Sequence, residues 1–422
     1  MSTPPPAETR ELVIDRLGAQ GDGVGADALG GGVFVPLTLP GERVRAQVEA
    51  GRGELLEVLE ASPERTAPVS PHYGDCGGCS LQHWKAAPYL AWKREQVRGL
   101  LAREGLECEV APAFACAPGT RRRLALHARP GKGGAVIGFK ARKSWRLVEV
   151  SQCPVAHPDL VKAFPALRTL AAGFLDHPKS APTLHVTATL SGLDIDVTGV
   201  ERRKGGGLSA DRRMQIAEAA AAADFARVTM SGELLYQARQ PAVRFGRAVV
   251  ALPAGSFLQA VEAAETEMAR LACEAVDGAA KVADLFCGAG AFTFPLAERS
   301  AVLAADSAEP AVMALRAATG GAPGLKPIMA EARDLFRRPV STAELKGFEA
   351  VVFDPPRAGA EAQAREVAAS GASVVCGISC NPATFARDAR ILADAGFRLE
   401  HVTPIDQFLW SAHVELVGVF RR

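Results

Sequence analysis

The amino-acid sequence predicts an α/β protein whose C-terminal part forms a doubly wound parallel sheet, preceded by a small β-barrel and a central domain of mixed α+β structure. After about residue 262, short apolar runs alternate with helical stretches, which is the pattern of βαβ units. Before that, glycine-punctuated β-rich segments at the start of the chain are typical of a small barrel. We therefore predict domains at 8–60, 61–255 and 256–422.

Length and composition exclude several classes of protein. The 422 residues are 48% hydrophobic and 23% charged, so the chain can bury substantial cores and is not expected to be disordered. No apolar run is long enough for a conventional membrane span, and a secretory signal is not expected. Nine cysteines in a chain of this size fit the reduced thiols of a cytoplasmic protein better than a disulfide framework.

Charge is distributed unevenly along a chain whose formal net charge is only +1. Residues 8–60 contain 5 basic and 10 acidic side chains, whereas residues 61–150 contain 15 and 7. A bounded nucleic-acid contact and a solvated charged face explain this basic segment equally well on charge alone. Its basic residues concentrate in one stretch, which includes Arg121, Arg122, Arg123, Arg129, Lys140, Arg142, Lys143 and Arg146. Trp145 lies among them, and we interpret it either as a residue that stacks on a base or as a residue of the core.

The first half of the chain contains several recognisable elements. Residues 12–14 and 33–36 are β-rich, and residues 44–48 alternate between apolar and polar, as half-buried strands do. A cysteine-containing loop at 70–84 precedes a predicted helix at 87–104. In the second half, we predict helices at 215–223, 262–276 and 292–299, and strands at 282–286, 301–305, 350–353 and 373–376.

A glycine-rich turn follows the predicted strand at 282–286. The motif DLFCGAG places small residues at the end of this strand, where glycines allow a sharp turn and close approach of a ligand. The next strand ends in Asp306, whose carboxylate suits a ribose diol because it accepts both hydroxyl protons. The third glycine of a dinucleotide fingerprint is missing. The turn therefore indicates a different nucleotide-like ligand, or else an ordinary tight βα turn.

Two further motifs follow strands that end at the same edge of the predicted sheet. Asp354 and Arg357 flank two prolines that fix a rigid turn after the strand at 350–353. Cys380 is followed by Asn-Pro and a helical stretch, and a helix N-terminus favours the thiolate. We expect Cys380 to lie on a loop at this edge, the alternative being a buried, inert cysteine.

Four motifs in fixed order, DLFCGAGAF, FDPPR, ISCNPATFARD and HVELV, resemble those of the RNA 5-methyluridine (uracil-C5) methyltransferases. The resemblance implies a Rossmann-like, S-adenosylmethionine-dependent catalytic domain. The segment VFVPLTLPGERV resembles the TRAM domain, a small OB-like, RNA-binding barrel. CGGCSLQH and the later CPV resemble the family's iron–sulfur segment.

The resemblance also assigns roles to individual residues. It implies that Cys380 adds to carbon 6 of the base and that Glu415 removes the carbon-5 proton. Spacing alone favours an exposed edge-strand glutamate at position 415, and only the family resemblance reverses this interpretation. The cofactor-binding residues that the resemblance implies are Gln259, Phe286, Asp306 and Asp354. Asp306 stands where the family usually has glutamate, and Ala291 where it often has asparagine.

The cysteine segment matches the family incompletely. Cys76, Cys79 and Cys153 match three ligands of a [4Fe–4S] cluster, but the position of the fourth is Ser70. We expect a bound iron–sulfur cluster that leaves one iron open or uses the serine oxygen. The alternatives are a structural vestige without a cluster and, as a lesser one, zinc.

The expected activity is methylation of uridine carbon 5 in RNA by a monomer with no membrane partner. Ribosomal RNA is favoured over transfer RNA, because TRAM-like and cluster-like segments occur together in the ribosomal enzymes that this sequence resembles. Cytosine C5 methylation, which also uses a cysteine, and a non-catalytic, cofactor-binding RNA chaperone are the alternatives.

Overall fold

The N-terminal strands form a closed barrel, as predicted. The structure is a computed structural model that describes residues 8–26, 31–132, 134–175, 177, 179–201 and 208–422. The barrel strands are β1 (Glu8–Leu17), β2 (Gly23–Ala26), β3 (Gly32–Val35), β4 (Arg43–Glu49) and β5 (Arg52–Glu60). Their order is β1-β2-β3-β5-β4, and β4 pairs back with β1 to close the barrel. Alternating apolar residues, such as Val44, Ala46 and Val48 on β4, point into its core.

The next elements are α1 (Ala86–Arg103), β6 (Glu109–Val110) and β7 (Phe114–Ala115). Both short strands pair in parallel with the strand at residues 398–406, near the C-terminus. Helix α1 packs against the same strand and against the helix at residues 382–394, which directly precedes that strand. Residues 86–115 thus extend the C-terminal sheet, although they precede the predicted boundary at residue 255.

A seven-stranded sheet forms the central part of the molecule. Its elements are β8 (Arg123–Gly131), β9 (Gly134–Lys140), β10 (Leu147–Glu149), α2 (Pro158–Lys162), α3 (Phe164–Ala172), β11 (Thr183–Thr189), β12 (Gly192–Thr198), α4 (Ala210–Ala222), β13 (Arg227–Met230) and β14 (Glu233–Gln237). The strand order is β10-β9-β8-β11-β12-β13-β14. One face carries the core residues that pack against α3 and α4, whereas the other face is polar. A hairpin of β15 (Ala242–Phe245) and β16 (Ala248–Ala251) follows.

The C-terminal part is the predicted Rossmann-like domain. Its elements are α5 (Glu262–Ala275), β17 (Lys281–Leu285), α6 (Thr293–Ala297), β18 (Ala301–Asp306), α7 (Glu309–Thr319), β19 (Ile328–Ala332), β20 (Ala350–Phe353), α8 (Glu361–Ala369), β21 (Val374–Ser379), α9 (Pro382–Asp394), β22 (Arg398–Asp406) and β23 (Glu415–Arg421). The sheet order is β19-β18-β17-β20-β21-β23-β22-β6, with only β23 antiparallel to its neighbours. The order reverses between β17 and β20, which opens a ligand crevice at the carboxyl ends of these strands. No helix in the described parts of the chain is long and apolar enough to cross a membrane.

A buried ion pair joins α1 to the loop between β22 and β23. The side chains of Lys93 and Asp406 are both fully buried and in contact. Lys93 Nζ also donates to the carbonyl oxygens of His413, at 2.6 Å, and Phe408, at 3.2 Å. Tyr89 Oη donates to the Asp406 carboxylate at 2.9 Å. These bonds hold both ends of the 406–415 loop, which leads directly to Glu415.

Replacement of Lys93 by methionine is expected to lower the free energy of unfolding by about 3–5 kcal/mol, because it leaves Asp406 buried without its cation. Urea denaturation measures the effect. The double variant Lys93→Met/Asp406→Asn removes both charges and is expected to recover much of the loss. Arg98→Met, which breaks an exposed pair with Glu95, is the matched control and is expected to change the free energy by less than about 1 kcal/mol. Equal stability of Lys93→Met and wild type would contradict the role given to this pair.

Candidate active site

All six residues predicted to act in catalysis or cofactor binding line one cavity of about 800 Å³. They are Gln259, Phe286, Asp306, Asp354, Cys380 and Glu415. The cavity lies at the carboxyl ends of β17, β18, β20 and β21, and the polar face of the central sheet closes its other side. The rule that ligands bind at this edge of a doubly wound sheet accounts for the meeting of residues so far apart in sequence.

The glycine turn after β17 has the conformation of a ligand cradle. Phe286, Gly288 and Gly290 have φ values of +65°, +54° and +100°. A Cβ at Gly290 would lie 2.7 Å from the ring of Phe294, whereas a Cβ at Gly288 would meet nothing within 4 Å. Gly290 is therefore required for packing and Gly288 leaves the turn open. The positive φ of Phe286, a non-glycine residue, is strain of the kind that is concentrated at functional sites.

Asp306 is fixed beside this turn. Its Oδ2 accepts a hydrogen bond from the Gly288 N–H at 2.9 Å, and its Oδ1 accepts one from the Ala308 N–H at 2.7 Å. An aromatic wall stands nearby, because the rings of Phe286 and Phe336 are 5.6 Å apart and both line the cavity. A carboxylate and an aromatic wall beside an open turn suit a nucleoside with a free ribose diol. Phe336 belongs to none of the sequence motifs and was not predicted.

Cys380 and Glu415 face each other from adjacent strand ends. The backbone pair Ser379–Leu416 is the last of the β21–β23 ladder, which places Cys380 opposite Glu415. Cys380 is half-buried and directly precedes Asn381, the N-cap residue of α9. The helix N-terminus was predicted to favour the Cys380 thiolate, but the pKa of this thiol is raised and not lowered. Burial raises the pKa of Cys380 to about 11, with the charges of Glu415 and then Asp354 adding to the rise and Arg357 opposing it.

Gln407, which the sequence motifs did not indicate, connects two of the three carboxylates of the site through Gln259. Its Nε2 donates to Glu415 Oε2 at 2.5 Å and to Gln259 Oε1 at 2.9 Å. Gln259 Nε2 in turn donates to Asp354 Oδ2 at 3.0 Å. The Ala260 N–H donates to Gln407 Oε1 at 3.1 Å and so fixes the orientation of the amide. A hydrogen-bonded chain of two amides therefore runs from Glu415 to Asp354.

The predicted basic stretch divides into structural and cavity-lining residues. Arg122 is buried and pairs with Glu265 at 2.7 Å. Arg142 and Lys143 both pair with Asp22 of the barrel, the latter at 3.5 Å. These three residues hold parts of the molecule together. Those that line the cavity are Arg121 and Arg123.

Trp145 is 87% exposed, and Lys140 Nζ lies 3.7 Å from the centre of its ring. Phe139, by contrast, packs against the central core. Of the two aromatic residues in the basic stretch, only Trp145 is free to stack on a nucleic-acid base.

Comparisons with known proteins assign this architecture to a family. The model of the family described as tRNA (uracil-5-)-methyltransferase matches residues 244–422. An uncharacterized RNA methyltransferase of Caulobacter vibrioides is 63% identical over 98% of this chain and 100% of its own length. The 23S rRNA (uracil(1939)-C(5))-methyltransferase of Halomonas elongata is 36% identical over 96% of this chain and 88% of its own. The chain belongs to the RNA uracil-C5 methyltransferase family.

A solved structure extends the likeness over the whole chain. The tRNA (uracil-54, C5)-methyltransferase of Pyrococcus abyssi, in complex with S-adenosyl-L-homocysteine, is 25% identical. It aligns with a TM-score of 0.72 over 97% of this chain and 99% of that one. The family resemblance predicted from the sequence motifs is thus confirmed, and the protein is an S-adenosylmethionine-dependent RNA methyltransferase.

The charges of the site fit this cofactor of the family. S-adenosylmethionine carries a sulfonium and an ammonium group, and the carboxylates of Asp306 and Asp354 line the cavity. Burial raises the pKa of Asp354 to about 7, with the charge of Asp284 adding to the rise and the hydrogen bond from Gln259 opposing it. A bound cation favours the ionised carboxylate, so cofactor binding is expected to lower this pKa.

The predicted iron–sulfur or zinc site is not supported. Within the ranges that the structure describes, no group of three or more His, Cys, Asp or Glu residues is arranged to hold a metal ion. Cys76, Cys79 and Cys153 are near one another and together supply three thiols. Ser70 supplies no thiolate, and its Oγ accepts a hydrogen bond from the backbone of His72 in its own turn. A [4Fe–4S] cluster takes four thiolate ligands, which these residues do not supply.

The role of Gln407 can be tested by measuring how its replacement changes the pKa of Glu415. Burial raises the pKa of Glu415 to about 8, with the charge of Asp354 adding to the rise and the Gln407 hydrogen bond lowering it. Gln407→Leu removes the donor to the carboxylate, so the pKa of Glu415 is expected to rise further by about one to two units. The role of base that the family resemblance implies for Glu415 requires an ionised carboxylate, so the acidic limb of the kcat/KM pH profile is expected to move upward equally.

A pH profile of methyl incorporation into RNA measures this shift. Gln237→Leu, at an exposed position on β14, is the matched control and is expected to leave the profile in place. A loss of activity that is equal at every pH would show that Gln407 acts only through folding or packing.

Proposed function

We propose that the protein transfers the methyl group of S-adenosylmethionine to carbon 5 of a uridine in RNA, through a transient bond between Cys380 Sγ and carbon 6. The observation that carries the proposal is the placement of Cys380 opposite Glu415 in the cavity that also contains the glycine turn and Asp306. A nucleophile, a base and a nucleoside cradle are then within reach of a single bound pyrimidine.

The chemistry needs both residues. Carbon 5 of uracil is a weak nucleophile, and addition of the Cys380 thiolate to carbon 6 converts the ring into an enolate that is reactive at carbon 5. When bound, S-adenosylmethionine supplies an electrophilic methyl group to that carbon. Glu415 then removes the carbon-5 proton, and the electrons of the broken C–H bond restore the C5–C6 double bond and expel the thiolate. A base with a pKa near the working pH is suited to such a step, and the buried Glu415 has a pKa of about 8.

The remaining cavity residues are assigned to the cofactor. Asp306 takes the ribose hydroxyls, and Phe286 offers an apolar surface to the base. Gln259 holds Asp354, to which it donates a hydrogen bond at 3.0 Å. All of these residues belong to one chain, which is compatible with the proposed monomer.

Ribosomal RNA is the proposed substrate. The Halomonas elongata relative, whose name specifies 23S rRNA, is 36% identical. The Pyrococcus abyssi neighbour, whose name specifies tRNA, is 25% identical. The closed N-terminal barrel and the exposed Trp145 beside Lys140 offer further surface for a structured RNA.

Nucleoside mass spectrometry with site mapping tests the function. Ribosomal and transfer RNA from a strain that lacks the gene are compared with wild-type RNA, and each is then incubated with purified protein and cofactor. Loss and restoration of one 5-methyluridine in ribosomal RNA is expected. Restoration of the methyl group in transfer RNA would instead show that transfer RNA is the substrate. Formation of 5-methylcytidine would show that cytosine is the target base. Cofactor binding without incorporation into either RNA would favour the chaperone alternative.

A further inference from the structure

A second, smaller cavity opens from the catalytic one. It measures about 360 Å³ and shares six lining residues with the larger cavity, among them Arg123, His185 and Gly255. Its own lining includes Asp194, Asp196 and Thr198. We call this the side cavity. It lies on the central sheet, on the side of the catalytic cavity away from the glycine turn.

The side cavity is formed by the polar face of the central sheet. The cross-strand pairs His185–Asp196 and Thr187–Asp194 join β11 to β12, and Arg123 lies opposite Thr187 on β8. The intervening residues of these strands point into the apolar core on the other face. Polar side chains therefore line a concave surface that continues directly from the proposed uridine site.

Hydrogen bonds fix the two aspartates of the side cavity, and one oxygen of Asp196 takes no part in them. Asp194 is neutralised by Arg227, which donates to both carboxylate oxygens at 2.8 and 2.7 Å. Asp196 Oδ1 accepts from Thr229 Oγ1 at 2.6 Å. Asp196 Oδ2 has no hydrogen-bond partner among the residues that the structure describes. A Cβ at Gly255 would only be in van der Waals contact with this oxygen, at 3.4 Å, and the φ of +67° accounts for the glycine at this position.

We propose that the side cavity binds the nucleobase adjacent to the target uridine, and that Asp196 Oδ2 accepts a hydrogen bond from the exocyclic amino group of that base. The inference rests on the proposed function, because it requires the uridine to occupy the neighbouring cavity. Adenine, cytosine and guanine carry such an amino group, whereas uracil does not. The negative charge of Asp196 disfavours a phosphate next to its free carboxylate oxygen. Phe257 is 71% exposed and lies 5.4 Å from the Arg123 guanidinium, and it offers a stacking surface between the two cavities.

Short RNAs that contain one target uridine test the inference. One series varies the nucleotide on the 5′ side of the uridine, and another varies the nucleotide on its 3′ side. Each series contains adenosine, purine riboside and inosine at that position. Purine riboside lacks the amino group of adenosine, and inosine has a carbonyl in its place. Wild type is expected to show a 10- to 100-fold higher kcat/KM for adenosine than for purine riboside in one of the series, because one hydrogen bond to a charged acceptor is lost.

Asp196→Asn makes the test specific. The amide oxygen is expected to keep the hydrogen bond from Thr229, which turns the amide N–H₂ toward the cavity and replaces an acceptor by a donor. The preference is therefore expected to reverse, with inosine methylated faster than adenosine. Asp211→Asn, at an exposed position in α4, is the control and is expected to keep the wild-type order.

The outcomes separate this inference from the proposed function. If wild type methylates no uridine in any RNA, the proposed function fails and the inference fails with it. If wild type methylates uridine with equal kcat/KM for adenosine and purine riboside in both series, the function stands and the inference is overturned. The same holds if Asp196→Asn retains the wild-type preference. The comparison of adenosine with purine riboside uses wild type alone, so it decides the question even if the variant does not fold.

Discussion

Cys380→Ser is expected to abolish methyl transfer, with a fall in rate of about 10⁴-fold or more, while the protein still binds the cofactor. A serine hydroxyl is a much weaker nucleophile than a thiolate, and the cavity offers no second thiol among its lining residues. The glycine turn and Asp306 remain intact, because their hydrogen bonds do not involve Cys380. Incorporation of labelled methyl groups measures the rate, and calorimetry measures binding of S-adenosylhomocysteine.

Cys108→Ser is the matched control for this variant. Cys108 is partly buried against a hydrophobic core of the C-terminal sheet and does not line the cavity. Its replacement is therefore expected to leave the rate near that of wild type. A second measurement uses RNA that carries 5-fluorouridine, because fluorine replaces the proton that the base must remove. Wild type is expected to form a stable adduct with this RNA and Cys380→Ser none. Retained turnover in Cys380→Ser would eliminate the covalent mechanism.

The raised thiol pKa adds a condition to this mechanism. With a pKa of about 11, Cys380 is protonated in the free enzyme at neutral pH. The negative charges of Glu415 and Asp354 contribute to that rise, so a bound sulfonium cation is expected to favour the thiolate.

Much of the fold could be predicted because its signals are local. The helix expected at 87–104 is Ala86–Arg103, and the strand expected at 350–353 is Ala350–Phe353. Apolar periodicity and glycine turns report such elements directly. By contrast, the pairing of β6 and β7 with β22 joins residues about 290 positions apart. No local pattern in two-residue strands could indicate that pairing.

The same distinction applies to the site. Four of the six cavity residues, Phe286, Asp306, Asp354 and Cys380, lie at or just after the carboxyl ends of parallel strands, where such a sheet collects its ligand-binding residues. Gln259, which precedes α5, and Glu415, the first residue of the antiparallel β23, were predicted from the family resemblance. Gln407 follows a strand without any motif, and its importance comes from contacts with Gln259 and Glu415 that only the folded chain brings together. The acidity of Cys380 was wrongly expected to be enhanced, because the helix N-terminus is visible in the sequence whereas burial and two nearby carboxylates are not.

Glu415→Gln is expected to stop the reaction after methyl transfer and to accumulate a protein–RNA adduct that resists denaturation. Glutamine retains the size of glutamate and a hydrogen-bond acceptor for Gln407, but it is not basic enough to remove the carbon-5 proton. Without that step the C5–C6 double bond cannot re-form, and Cys380 cannot leave. Denaturing gel electrophoresis with labelled cofactor is expected to show about one methyl group per protein chain in the adduct, with release slowed at least about 100-fold.

Two variants make this assignment specific. Cys380→Ser/Glu415→Gln is expected to form no adduct, because the bond to RNA requires the thiolate. Glu361→Gln, an exposed residue that pairs with Arg365 at 2.8 Å, is expected to turn over normally without accumulating adduct. A wild-type rate for Glu415→Gln would reject Glu415 as the base. Loss of both turnover and adduct would show that addition to carbon 6 no longer occurs. Glu415 would then act at an earlier step, the removal of the proton from Cys380.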